Sequence, residues 1–233
     1  MLNQLLMLTL LHIPVQGNNE GNCPAGEEAI CEERKAETTL QVKFPELIKR
    51  KGDKLIIRST AGVVHVFKDN RNENNAENYV THLAQSSLPG LDWVIVNSIY
   101  YEGDGQELIN LNSGELIQFD GSNYPTLSPN GKHLLVYSQD LVTDYHSNYI
   151  SIYQIDQNSM KVEVEFSGDR TESNDDIWGP DQPRWVNNET LLYDELRYVG
   201  ENGGMQATHI RLQFINGQWK KSITGKSAVI INK

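Results

Sequence analysis

Four carboxylates fall within the segment Gly168-Asp169-Arg170-Thr171-Glu172-Ser173-Asn174-Asp175-Asp176. Hard oxygens at that density suit Ca²⁺, but the central glycine and distal glutamate of the EF-hand loop are missing, so a solvated loop is the expected use. A second segment, Gln139-Asp140-Leu141-Val142-Thr143-Asp144-Tyr145-His146-Ser147, gathers Asp, Tyr and His, the residue types of acid–base chemistry. A hydrolase or lyase acting on saccharide or peptide would draw acid and base from Asp140, Asp144, Asp175 and Asp176. A polar loop between strands accounts for the same residues. Gly225-Lys226-Ser227 resembles the end of a phosphate-binding loop, but Lys220 stands where that loop needs its first glycine and no helix follows. No G-x-S-x-G elbow occurs. No catalytic residue or metal ligand is assigned from these patterns, and no cofactor is expected.

Cys23 and Cys31 are the only cysteines. In an oxidising compartment they would form one local disulfide. A continuous helix between them would hold their Cα atoms ~12 Å apart, whereas a disulfide needs ~7 Å or less. The expectation is therefore a turn at Pro24-Ala25-Gly26, with any helix starting after Glu27. Residues 1–15, MLNQLLMLTLLHIPV, are apolar, too short for a membrane span, and followed by Gln16, Gly17, Asn18 and Asn19. They read as a secretory signal peptide cleaved after Gly17, which points to a periplasmic or secreted chain. The competing reading is a packed N-terminal helix or strand. The residues just before Cys23 do not suit a lipid anchor. Asn188-Glu189-Thr190 is a glycosylation sequon in an expected turn. The aromatics Tyr100, Tyr101, Tyr124, Tyr137, Trp178, Trp185, Tyr193, Tyr198 and Trp219 could line a sugar or peptide groove, but their strand positions make core the default expectation.

The elements that must carry these residues are short strands. Val162-Glu163-Val164-Glu165-Phe166 and Ile210-Arg211-Leu212-Gln213-Phe214 alternate strictly, the period of a half-buried strand. Lys54–Ile57, Val63–Phe67, Trp93–Tyr101 and Leu134–Tyr137 are rich in β-branched and aromatic residues. Turns lie between them at Asn112-Ser113-Gly114, Asn130-Gly131 and Asn216-Gly217. Asn74–Gln85 is the one later segment with a helical pattern, and a loop serves there equally well. The chain has 233 residues, with 20 Lys and Arg against 31 Asp and Glu, a net charge of −11. One globular domain fits that length, and the charge disfavours nucleic acid as a partner. No later apolar run approaches the ~20 residues of a membrane span.

Three strand-turn-strand units align, at residues 107–119, 150–166 and 209–222. Two of them follow related segments that begin at Pro125 and Pro183. A unit of four short strands therefore repeats. At Ser128-Pro129-Asn130-Gly131-Lys132, followed by Leu134-Leu135-Val136-Tyr137, the chain resembles TolB-like β-propeller repeats. Leu127 and Asn130 replace that pattern's aromatic and aspartate; the second copy keeps Pro183, Trp185 and Leu191-Leu192-Tyr193. The resemblance covers about residues 90–222, with a degenerate further copy within 53–101. It implies an apolar strand packed between neighbouring blades. The length allows three or four blades, too few for a six-bladed ring. The expected fold is all-β, a small or incomplete propeller-like arrangement of three to four antiparallel blades over residues 40–233, preceded by an N-terminal segment, 18–39. A β-sandwich is the alternative. The function expected is exported, non-enzymatic binding or scaffolding of a protein or envelope polymer, with the carboxylate-dependent hydrolase or lyase as the alternative. A single concave pocket that collects carboxylates would discriminate between them.

Overall fold

The computed structural model describes residues 28–72, 76–121, 125–143, 145–168, 177–199 and 204–227. One helix, α1 (Glu28–Lys43), precedes fifteen strands. Within the described residues the helix carries Cys31 and runs across the expected boundary at residue 40; the expected turn at Pro24-Ala25-Gly26 lies outside them. Cys23 and the signal segment lie outside the described residues.

The strands form four antiparallel sheets, each built from consecutive strands. Sheet I holds β1 (Ile48–Lys51), β2 (Lys54–Arg58) and β3 (Val64–Lys68); sheet II holds β4 (Val80–Ser87), β5 (Trp93–Tyr100), β6 (Gly103–Asn110) and β7 (Leu116–Asp120). Sheet III comprises β8 (Thr126–Leu127), β9 (His133–Ser138), β10 (Tyr149–Ile155) and β11 (Met160–Ser167). Sheet IV comprises β12 (Gly179–Asn187), β13 (Thr190–Val199), β14 (Gly204–Ile215) and β15 (Gln218–Lys226). The units aligned in the sequence are the third and fourth strands of sheets II, III and IV, and the segments at Pro125 and Pro183 hold the first two strands of sheets III and IV. The Asn74–Gln85 segment is not helical: a single 3₁₀ turn at Ala76–Asn78 leads into β4. Pairing of Val80, Thr81 and Leu83 with Tyr100, Ile99 and Asn97 overrides the helical pattern.

Alternation explains how the sheets stack. On β5, Val94 and Val96 join Ile48, Leu55, Ile57 and Leu40 between sheets I and II. Their neighbours Trp93 and Ile95 point the other way, onto Leu134, Val136, Tyr153 and Met160 of sheet III. On β9, Leu135 faces away from that cluster, onto Leu191, Tyr193, Ile210 and Leu212 of sheet IV. Sheets II and III thus bury both faces, which is why β5 and β9 read as continuous apolar runs. Three cores link four sheets in chain order, the propeller-like arrangement of blades. Among the described residues no hydrophobic cluster joins sheet I to sheet IV.

Local turn chemistry fixes each blade. Pro129 and Asn130 occupy the centre of a turn closed by the Gly131 amide donating to the Ser128 carbonyl at 2.8 Å. The Asn130 side chain accepts from the Lys132 amide at 3.1 Å, and Ser128 Oγ accepts from the His133 amide at 3.0 Å. Gly131 sits at φ +68°, where a side chain is strained. Between α1 and sheets I and II lies a buried ionic cluster. Arg50 Nε donates to Glu37 Oε1 at 2.6 Å, Nη2 to Glu37 Oε2 at 2.7 Å, and Nη1 to Asp69 Oδ2 at 3.0 Å. Its Nη2 also donates to the His82 carbonyl. Burial alone would lower the Arg50 pKa, but Glu37 and Asp69 outweigh it and raise it. Every charge in this cluster is paired, so it anchors the helix and is no reaction site.

Candidate functional site

At the β5–β6 end of sheet II the hairpin turn carries Tyr100, Tyr101, Glu102, Gly103 and Asp104. Glu77 and Tyr79 lead into β4 beside it, and Asp120 ends β7. The loop between β9 and β10 reaches across from sheet III with Tyr145 and His146. Together these residues enclose a cleft of about 570 Å³. Among the described residues its lining combines four carboxylates, four tyrosines and one histidine, with no lysine or arginine. Tyr100, Tyr101 and Tyr145 are 48, 62 and 59% exposed, large rings left open to solvent on one small patch.

The loop that delivers His146 is organised by Asp140. Its Oδ1 accepts from the amides of Val142 and Thr143, its Oδ2 from those of Tyr145 and His146. The Thr143 hydroxyl donates to Oδ2 as well. Burial works to raise the Asp140 pKa, and these donors outweigh it and hold the carboxyl well below the usual range. Asn148, 1% exposed, closes the loop: its Oδ1 accepts from the Asp140 amide at 2.8 Å and its Nδ2 donates to the Asp140 carbonyl at 3.0 Å.

His146 is held between two carboxylates from sheet II. Its Nδ1 lies 3.0 Å from Asp120 Oδ1 and its Nε2 3.2 Å from Asp104 Oδ1. Both contacts are hydrogen bonds at once only when the ring is an imidazolium. The Ser147 amide donates to Asp120 Oδ2 at 2.8 Å, and the Tyr149 hydroxyl donates to the Asp120 carbonyl at 2.9 Å. Burial pushes the Asp120 carboxyl up, but Ser147 and His146 outweigh it and keep the carboxyl below its ordinary value. Burial also pushes the Tyr149 phenol far up, so it stays a donor. A Cβ at Gly103 would come within 3.0 Å of His146 Cε1, which makes glycine the residue that lets the ring in.

The residues singled out from sequence are distributed unevenly. Tyr145 and His146 enter the cleft; Asp140 is spent on building their loop; Asp144, Asp175 and Asp176, with the rest of 169–176, lie outside the described residues. Tyr100 and Tyr101 depart from the expectation of core, because they occupy the exposed hairpin end, whereas Trp178, Tyr193 and Trp219 are buried as expected. Tyr124 lies outside the described residues. Gly225 and Lys226 are extended residues of β15, and the residues after 227 lie outside the described residues. Asn188 is an exposed residue of the β12–β13 turn. Among the described residues no three His, Cys, Asp or Glu side chains gather at metal-binding spacing. Sequence reasoning missed Asp104 and Asp120; the available signal was the Tyr-Tyr-Glu-Gly-Asp turn between two strands. No helix among the described residues is long and apolar enough to cross a membrane. No family model and no curated protein matches the chain.

Proposed function

We infer that this is an exported, non-enzymatic binding protein, built from TolB-like propeller blades, that holds a basic segment of a partner protein in the acidic tyrosine cleft. The observation that carries the reading is the lining itself: Glu77, Glu102, Asp104 and Asp120 beside Tyr79, Tyr100, Tyr101 and Tyr145, with no basic side chain but the clamped His146. Carboxylates attract an ammonium or guanidinium, and tyrosine faces add cation–π attraction and cover the aliphatic stem. The cleft is preorganised because one wall is the end of sheet II and the other is a loop held by Asp140 and Asn148. The hydrolase or lyase reading receives less support: of its candidate residues Asp140 is occupied by loop donors, Asp144, Asp175 and Asp176 lie outside the described residues, and Asp104 and Asp120 both contact one imidazole.

Calorimetric titration of the full chain with a short lysine-rich peptide tests the reading. Binding is expected, falling at least tenfold in Asp104→Asn and in Tyr101→Ala, and lost when the peptide lysines are acetylated. Equal affinity for the acetylated peptide would overturn it.

A further inference from the structure

The outward face of sheet I is strongly basic on a chain of net charge −11. Residues on one parity of β1, β2 and β3 pack on the core, and the opposite parity presents Lys49, Lys51, Lys54, Arg58 and Lys68 with Ile56, Val64 and Val66 between them. All five cations are exposed, and Val64 and Val66 are 43 and 55% exposed. The register places three lysines in one row, Lys51 opposite Lys54 and Lys54 opposite Lys68. Like charges directly opposed across strands destabilise a sheet. Among the described residues none of these three has an ion-pair partner; only Lys49 has one, Glu46 at 2.9 Å in the turn before β1. In the adjoining row, Lys49, Ile56 and Val66, two of the three are aliphatic.

The face demands an anionic occupant. Another copy stacked through its open sheet IV supplies it poorly, because the outward parity there sets Arg184, Arg211 and Lys220 against Asp181 and Asp194, the latter already bonded to His209 at 2.7 Å. A single-stranded nucleic acid would be expected to meet stacking aromatics, which this face lacks, and a duplex backbone would leave the exposed Val64 and Val66 without an apolar partner. Lysines around short exposed aliphatics match the headgroup region of a bilayer, phosphates outside and acyl chains beneath. We propose that the outward face of sheet I, with its unpaired Lys51–Lys54–Lys68 row beside Ile56, Val64 and Val66, is a docking surface for an anionic phospholipid bilayer. The protein's acidic surface elsewhere does not prevent this, because charges beyond a Debye length of ~8 Å are screened at physiological salt.

The test is co-sedimentation of the full chain with vesicles of phosphatidylcholine alone and of phosphatidylcholine with phosphatidylglycerol, at low and high salt. The triple variant Lys51→Gln/Lys54→Gln/Lys68→Gln and the control Arg211→Gln/Lys220→Gln are run in parallel. Binding only to the anionic vesicles is expected, weakened by salt, unaffected by the control and reduced about fivefold per lysine removed, roughly a hundredfold in the triple variant. The triple variant should melt no lower than the parent, because it removes repulsion. Its loss of binding is then not a loss of fold. Val64→Ser/Val66→Ser should weaken binding with little change in its salt dependence. No binding of the parent to anionic vesicles, or equal binding by the triple variant, would overturn the proposal and leave the lysines as guards against sheet stacking. Equally tight binding to duplex DNA or to inorganic phosphate would overturn the bilayer as the occupant.

Discussion

Asp120 divides its carboxylate between the Ser147 amide and the His146 ring, and that division makes the cleft sensitive to acid. Its folded pKa lies below the unfolded value of ~3.9, so its stabilisation is present above that value and is lost as pH falls through the folded one. Above ~5 the contribution of Asp120 should therefore be constant, and below ~4 it should fade and the loop loosen; histidine ring NMR signals of the parent and of Asp120→Asn measure this. In the variant this acid loosening of the loop should be absent. Glu107 runs in the opposite sense. It is 4% exposed, and burial raises its pKa although Ser98 Oγ donates to it at 2.9 Å. Its ionisation costs stability as pH rises from the unfolded value through the folded one. Glu107→Gln should accordingly raise the melting temperature at neutral pH, with the gain vanishing in acid.

At the scale of elements, short-range rules made much of the chain legible and long-range register made the rest illegible. Asn216-Gly217 forms the β14–β15 turn with φ values of 52° and 78°, and the Ser128–Gly131 turn stands where its residues indicated, because each is decided within four residues. The runs at β5 and β9 were legible as strands for the same local reason, their β-branched content. β4 was not, since a sequence with Thr81, His82 and Gln85 becomes a strand only through its neighbour β5. The meeting of Asp104, Asp120 and His146 was equally hidden: three separate connections place them, and the packing of sheet II on sheet III sets their distances. Two substitutions probe these levels. Gly131→Val should destabilise by about 1–3 kcal/mol in thermal or denaturant melts, by straining one turn. Arg50→Met should cost about 3–5 kcal/mol, because Glu37 and Asp69 would remain buried without their cation.

Across the whole molecule the serial stack predicts a gradient of stability. Sheets II and III are covered on both faces and the outward faces of I and IV are open, so opening from either end exposes one core and not three. Hydrogen exchange should find the amides of β5, β9 and β10 protected to the global limit, and those of β3 and β15 exchanging through smaller openings. The charge pattern is equally asymmetric. A chain of net charge −11 concentrates carboxylates and tyrosines at the junction of sheets II and III and lysines on the outside of sheet I. That separation gives one cleft suited to a cation and one face suited to an anion. The most direct test of the cleft is a ring spectrum of the full chain with ¹³C-labelled tyrosine, recorded while a lysine-rich peptide is added. The signals of Tyr100, Tyr101 and Tyr145 should shift together and saturably, while those of the core residues Tyr153 and Tyr193 stay fixed. Shifts confined to other tyrosines, or none at peptide concentrations that saturate other acidic clefts, would contradict a binding role for this site.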